Sequence, residues 1–179
     1  MAWTVAPVAI AYCPACGAEL GARSTHEGDR PYCQACELTV YRNPVPMARA
    51  TVVDGDALLL IEMGQGPDEG SWALAGGHCL PEEPPAVTAA REFREETGLA
   101  IDASALTLVG DGHLTFDDGA TMVSLNYAAP RSAADGEVSA GDDAAAARWW
   151  SRAEIRSDPP LARASGRAQL LATIDRFGG

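Results

Sequence analysis

Residues 77–99, GHCLPEEPPAVTAAREFREETGL, decide how this chain is read. They place Glu92, Glu95 and Glu96 at positions i, i+3 and i+4 of a predicted helix, which puts three carboxylates on one face within about one turn. Like charges in that arrangement repel by a few tenths of a kcal/mol per pair, so a helix selected for stability alone would avoid them. A hard divalent cation removes the repulsion by taking carboxylate oxygens as ligands, and Mg²⁺ keeps room for waters and substrate phosphates. The flanks agree with a helix. Pro84 and Pro85 suit a first turn, where a missing N–H costs nothing. Residues 86–97 are mostly good helix formers, with Val87, Ala90 and Phe93 forming the expected apolar face. Gly98 offers a left-handed cap. Ahead of the helix, Gly76 and Gly77 permit an unusual turn and a close approach of main chain to a ligand. Taken alone, a run of Glu also fits a merely solvated acidic face.

The segment resembles the Nudix box, G-x5-E-x7-R-E-U-x-E-E-x-G-U, where U is apolar. Gly77, Glu83, Arg91, Glu92, Phe93, Glu95, Glu96, Gly98 and Leu99 fill every fixed position without a gap. A pattern of this length is far more specific than a short glycine motif. The resemblance implies an α/β fold, the Nudix α/β/α sandwich with a mixed sheet. It also implies Mg²⁺- or Mn²⁺-dependent hydrolysis of a diphosphate linkage in a nucleoside diphosphate joined to another group. Carried over by position, it makes Glu92, Glu95 and Glu96 metal ligands, together with the backbone carbonyl of Gly76, and pairs Arg91 with Glu83 to shape the loop. A homodimer is implied by family habit.

Composition narrows the partners. The chain has 179 residues, 47% of them apolar, enough for one ordinary domain and a small appendage. No apolar run approaches the 18 or so residues of a membrane span. The first eleven residues, MAWTVAPVAIA, lack the basic start of a signal peptide, so a cytoplasmic location is expected. Twenty-five acidic residues face 13 arginines and no lysine, a formal net charge of −12. Such a surface repels nucleic acid and anionic membranes. A GC-rich genome explains the missing lysines but not the acidity, which resembles proteins of salt-loving organisms.

Cys13-Pro-Ala-Cys16 and Cys33-Gln-Ala-Cys36 lie sixteen residues apart, and C-x2-C-x16-C-x2-C reads as a four-thiolate zinc site. Two disulfides are disfavoured by the cytoplasmic reading, and a redox pair lacks its βαβ context. Four protein ligands leave no open position, so the expected role is structural. Cys79 is left over and carries no assigned role.

Two domains are expected: a zinc ribbon over 1–43, too small to fold without metal, and a Nudix domain over 44–179. The connector YRNPVP (41–46) is stiffened by two prolines. Strands are predicted at 45–53 and 57–61 around the Asp54-Gly55 turn, and at 72–74, 106–109 and 121–128, with a turn at 117–119. Residues 130–147, rich in Ala, Asp, Gly and Ser, read as a loop, and 163–177 as a C-terminal helix. Trp149 followed by a short helix is common in the family. The ribbon joined through Tyr41, Asn43 and Pro44 resembles a subgroup that includes NADH pyrophosphatases and relatives acting on ADP-ribose or FAD.

The chain departs from that subgroup at several places. Ala75 stands where the family often has Pro, and Glu62 and Met63 stand where many relatives carry basic residues. The Ser-Gln-Pro motif of NADH pyrophosphatases is absent from 110–127, which points away from NADH. ADP-ribose is the leading expectation, ahead of FAD, NADH or a nucleoside triphosphate. A ligand-sensing protein that kept the fold without catalysis is the other class, though it would have no need of all three glutamates. For the general base, Glu92 is one candidate, and Glu137, Asp142 and Asp143 in the loop before the last strand are further candidates for base or extra ligand. His78, His113, Trp72, Phe116 and Tyr127 read as packing or surface residues.

Overall fold

In the computed structural model the described residues are 10–178 without 118, 142, 158, 163 and 164. The expected role of Asp142, the centre of the predicted turn at 117–119, residues 1–9 of the apolar start and the predicted helix start at Arg163 and Ala164 therefore lie outside the described residues. By internal contacts the chain divides into Met1–Val45 with Thr115–Thr121, and Pro46–Leu114 with Met122–Gly179. In the first unit, Gly21–Thr25 (β1), Gly28–Cys33 (β2) and Leu38–Thr39 (β3) form an antiparallel three-stranded sheet. Cys13 opens a tight turn in which its N–H donates to Ala18 O and its carbonyl accepts from Gly17 N–H.

The second unit is framed by Val45–Asp54 (β4) and Ala57–Met63 (β5). They pair at Val53↔Leu58 and Asp54↔Ala57 around a two-residue turn, where Gly55 takes the positive φ such turns require. Beyond this point the chain 72–78 enters between them. Trp72–Ala73 (β6) pairs with β5, and Ala75–His78 (β7) pairs with β4, with Arg49 opposite Gly76. Pro85–Thr97 forms helix α1, and Ala100–Ile101 is a short β8. Thr107–Thr115 (β9) and Thr121–Pro130 (β10) extend the sheet, while Ala134–Asp135 (β11) pairs with β8. Ala144–Ser151 (β12) pairs with β5 and completes the sheet order β12-β5-β4-β10-β9. Arg152–Arg156 (α2) and Arg167–Phe177 (α3) follow.

Alternation along β4 and β5 separates two cores. Ala48, Ala50, Val52, Leu59 and Ile61 pack with Ala89, Phe93 and Leu99. Val53, Leu58 and Leu60 pack with Ile155 of α2 and with Leu170 and Ile174 of α3. Helices thus cover both faces of the sheet, the α/β/α sandwich. Phe93 is fully buried, a contribution of about 1.5–3 kcal/mol. No described helix is long and apolar enough to cross a membrane.

Three expectations change. The apolar face of α1 runs through Ala89 and Phe93 and continues to Glu96 and Thr97, whereas Val87 is exposed. The helix is therefore rotated from the Val87–Ala90–Phe93 face, because the wedge of small residues at 75–77 draws Glu96 inward. The glycine pair is not a turn: the strand continues through Gly76 and Gly77 to His78. Residues 130–147 are not one loop either. Ala144–Ala147 belong to β12, and Ser139 N–H and Gly141 N–H donate to Thr97 O and Glu96 O at the end of α1. An alanine run shows no alternation, so this strand exists through its ladder with β5.

Candidate active site

Helix α1 is delimited by its sequence. Pro84 is the N-cap and Pro85 the first helical residue, and Gly98 closes it in a left-handed conformation with its N–H on Arg94 O. The carboxylates on this helix grade from core to solvent. Glu96 is 6% exposed, Glu92 is partly buried, and Glu95 is the most open of the three. Glu96 Oε2 accepts the Gly76 N–H at 2.7 Å, which ties the helix to the strand entering it. Burial, helped by the neighbouring Glu92 and Asp143, pushes the Glu96 carboxyl up to about 8, against the Gly76 bond and Arg49. Gly77 brings bare backbone against the second carboxylate. A Cβ there would fall 2.5 Å from Glu92 Cδ, so the bare backbone forms the cradle of that carboxylate.

Arg91 organises the rest. Its Nε donates to both oxygens of Glu83 at 3.1 and 3.2 Å, and Nη2 donates to Oε2 at 3.1 Å. Thr88 Oγ1 adds a bond to the same oxygen at 3.0 Å. The guanidinium beside Glu83 holds that carboxyl below its usual range, and the contact raises Arg91 in turn. Arg91 Nη1 reaches the other way, to Glu92 Oε1 at 2.8 Å and Glu95 Oε2 at 3.0 Å. It relieves the like-charge stacking that the sequence imposes. Glu92, Glu95 and Glu96 do not converge on one point: among the described residues the four cysteines are the group whose ligand atoms gather that closely. Hard oxygen donors on one helix, one buried and one cradled on a glycine, nevertheless fit a hard divalent cation.

The loop acids differ in placement. Asp143 is close enough to act on Glu96, and Gln65 Nε2 donates to its Oδ1 at 2.5 Å. Gly64 N–H donates to Asp143 O, and any Cβ on Gly64 would meet that oxygen. Glu137 is exposed, with its backbone carbonyl against Gly98 at the helix end. His78 is half-buried, lowered by burial and by Arg49, while His113 is exposed. Trp72 stacks edge-on against Trp150 at 5.0 Å, a packing contact. Sequence reasoning missed Arg49, Gln65 and Thr88. Arg49 had a visible signal, a lone charge inside the apolar strand VPMARATVV.

Residues 44–174 match the NUDIX domain. The chain belongs to the Nudix family. No curated protein matches it. Among solved structures, a MutT Nudix hydrolase from Burkholderia pseudomallei is 27% identical with a TM-score of 0.64, covering 72% of this chain and 97% of that one. A Nudix hydrolase from Nitrosomonas europaea superposes with a TM-score of 0.66 at 18% identity, over 93% and 92% of the two chains. The Nudix domain of Shewanella oneidensis NrtR, complexed with ADP ribose, has a TM-score of 0.62 at 19% identity, over 81% and 92%. The last two likenesses concern the fold.

Within the N-terminal unit, the sulfurs of Cys13, Cys16, Cys33 and Cys36 lie within 4.8 Å of one another, with Cys16 and Cys33 at 3.6 Å. Thiolates about 2.3 Å from a tetrahedral zinc sit about 3.8 Å apart, so the set can hold a metal. No disulfide joins any of the five cysteines. Hydrogen bonds with Cys16 and then Cys33, followed by desolvation, push the Cys36 thiol up to about 12, whereas the Ala15 N–H draws Cys13 down to about 7. Four sulfurs so close share few protons comfortably, which favours a cation among them.

Proposed function

We propose that this Nudix hydrolase cleaves the diphosphate of a nucleoside diphosphate linked to a second group, with ADP-ribose the first substrate to test. The observation that carries the reading is Glu96, a buried carboxylate fixed on the Gly76 N–H beside Glu92 and Glu95. Burying such a group is costly unless a partner offsets it. Glu92, Glu95, Glu96 and the Gly76 carbonyl would hold Mg²⁺ or Mn²⁺, which supplies charge neutralisation and a lowered pKa for water. Glu83 keeps Arg91 anchored at the loop while Arg91 Nη1 orients Glu92 and Glu95. A water oxygen bonds to one phosphorus, the bridging P–O bond breaks so that the second phosphate leaves with its oxygen, and the water proton passes to Glu92, with Asp143 the other candidate base. The four cysteines hold structural Zn²⁺ outside this chemistry. ADP-ribose is supported by the ADP-ribose-bound NrtR neighbour and by the absence of the Ser-Gln-Pro motif.

The test is a Mg²⁺-dependent hydrolysis panel of ADP-ribose, FAD, NADH and nucleoside triphosphates with wild type, Glu95→Gln and Glu96→Gln. The variants should lose at least about two orders of magnitude in kcat, several kcal/mol of transition-state stabilisation. Variants that match wild type would overturn the metal face. Hydrolysis of another panel member with ADP-ribose untouched would overturn the substrate.

A further inference from the structure

Arg49 has no part in the reaction set out above, and packing does not explain it. It is 9% exposed within the sheet. Among the described residues its Nη1 is buried without a hydrogen-bond partner, and Nη2 donates to the Met47 sulfur at 3.9 Å, a weak acceptor. A guanidinium is not left so poorly paired in low dielectric without a compensating field.

Two carboxylates supply that field, Glu96 first and Asp68 second, and the geometry singles out Glu96. Ala48 and Ala50 point into the core under α1, whereas Val53 points into the core under α3. Strand alternation therefore sends Arg49 to the α3 side, behind the carboxylate helix. What separates it from Glu96 is Gly76. Arg49 and Gly76 are ladder partners, and a Cβ on Gly76 would run into the Ala48 carbonyl and lie 2.6 and 2.7 Å from Arg49 Cα and Cγ. On the other side Glu96 accepts the Gly76 N–H. The glycine is a wall one backbone thick, and the charge of Arg49 acts on Glu96 across it. Glu92 and Asp143 act on the same carboxylate with the opposite sign.

We infer that Arg49 is a positioning residue, whose charge at the back of the sheet holds Glu96 on Gly76 in the geometry that a divalent cation requires. The inference rests on Glu96 being a metal ligand. It also makes a prediction that a bare counter-charge would reverse. A cation near a metal site repels the metal, so removing it would tighten binding by Coulomb's law alone. Removing a positioning residue weakens binding, as loss of partners behind first ligands does, by about 10- to 100-fold.

Mn²⁺ binding to the full chain, read from the free-ion electron paramagnetic resonance signal, separates the two without any turnover. Arg49→Met keeps the stem and removes the charge, Arg49→Gln keeps a donor, and Arg49→Lys keeps the charge. Urea midpoints establish which variants are folded. Arg49→Met and Arg49→Gln should weaken Mn²⁺ about tenfold or more, with Arg49→Lys within about threefold of wild type. If Arg49→Met does not fold, the Gln and Lys variants carry the same comparison. Unchanged or tighter Mn²⁺ in the charge-less variants, or a Lys variant as weak as they are, overturns the inference. Glu96→Gln is the control. If it also leaves Mn²⁺ unchanged, the metal-face reading itself has failed. If it weakens binding while Arg49→Gln does not, only the role of Arg49 is lost.

Discussion

Glu96 concentrates the energetics of the site in one side chain. An unfolded Glu titrates near its ordinary value of 4.5, while burial lifts the folded carboxyl to about 8. Between these values the native chain keeps a proton that the unfolded chain has released, so stability falls as pH rises through that window and levels off above it. For metal-free protein the urea midpoint should therefore decline from about pH 5 to pH 8, by a loss on the order of a few kcal/mol at most. Glu96→Gln should flatten the decline, and saturating Mg²⁺ should do the same by favouring the ionised form. Equal slopes in wild type and Glu96→Gln would show that another group is responsible. The sequence made Glu96 visible as one of three spaced carboxylates but gave no hint that it differs from Glu95 in burial. That difference follows the Gly76 N–H, which a strand twenty residues earlier presents to the Glu96 carboxylate. Arg49 escaped for the same reason. A charge in an apolar strand is conspicuous, but what it faces depends on which residue the ladder sets opposite.

Helix α1 was legible almost to the residue because local chemistry marks both ends. Proline at the start and glycine at the end act through backbone geometry that needs no tertiary partner. Its rotation was not legible, since Val87–Ala90–Phe93 and Ala89–Phe93–Glu96 are equally regular on a helix and only the packed sheet chooses between them. The strand 144–151 shows the other limit. An alanine run carries no alternation, and its pairing with β5 is a long-range fact. The end of α1 offers a direct check. Gly98 has φ +73°, and a Cβ there would come 2.9 Å from the Glu137 carbonyl. Gly98→Ala should destabilise the domain by about 1–2 kcal/mol, from left-handed strain together with displacement of the loop that carries Glu137. A urea midpoint within error of wild type would mean that the loop yields freely.

At the scale of the molecule, two units of unequal size depend on different sources of stability. The Nudix domain has two apolar cores on the two faces of one sheet and needs no staple. Among its described residues the N-terminal unit offers three short strands with mostly exposed residues, and the buried ones are Cys13, Cys33 and Ala120. A module this small buries too little apolar surface to offset chain entropy, so its folding free energy must come from elsewhere. Four sulfurs within 4.8 Å supply the means, because binding one cation to a preformed thiolate set contributes as folding energy. The freshly purified chain should accordingly hold one Zn²⁺ by metal analysis. Cys33→Ser, which removes a buried ligand, should abolish stoichiometric zinc and leave the amides of β1–β3 exchanging at nearly unfolded rates. Zinc-free protein whose β1–β3 amides stay protected would show that the four thiols are held together by packing alone.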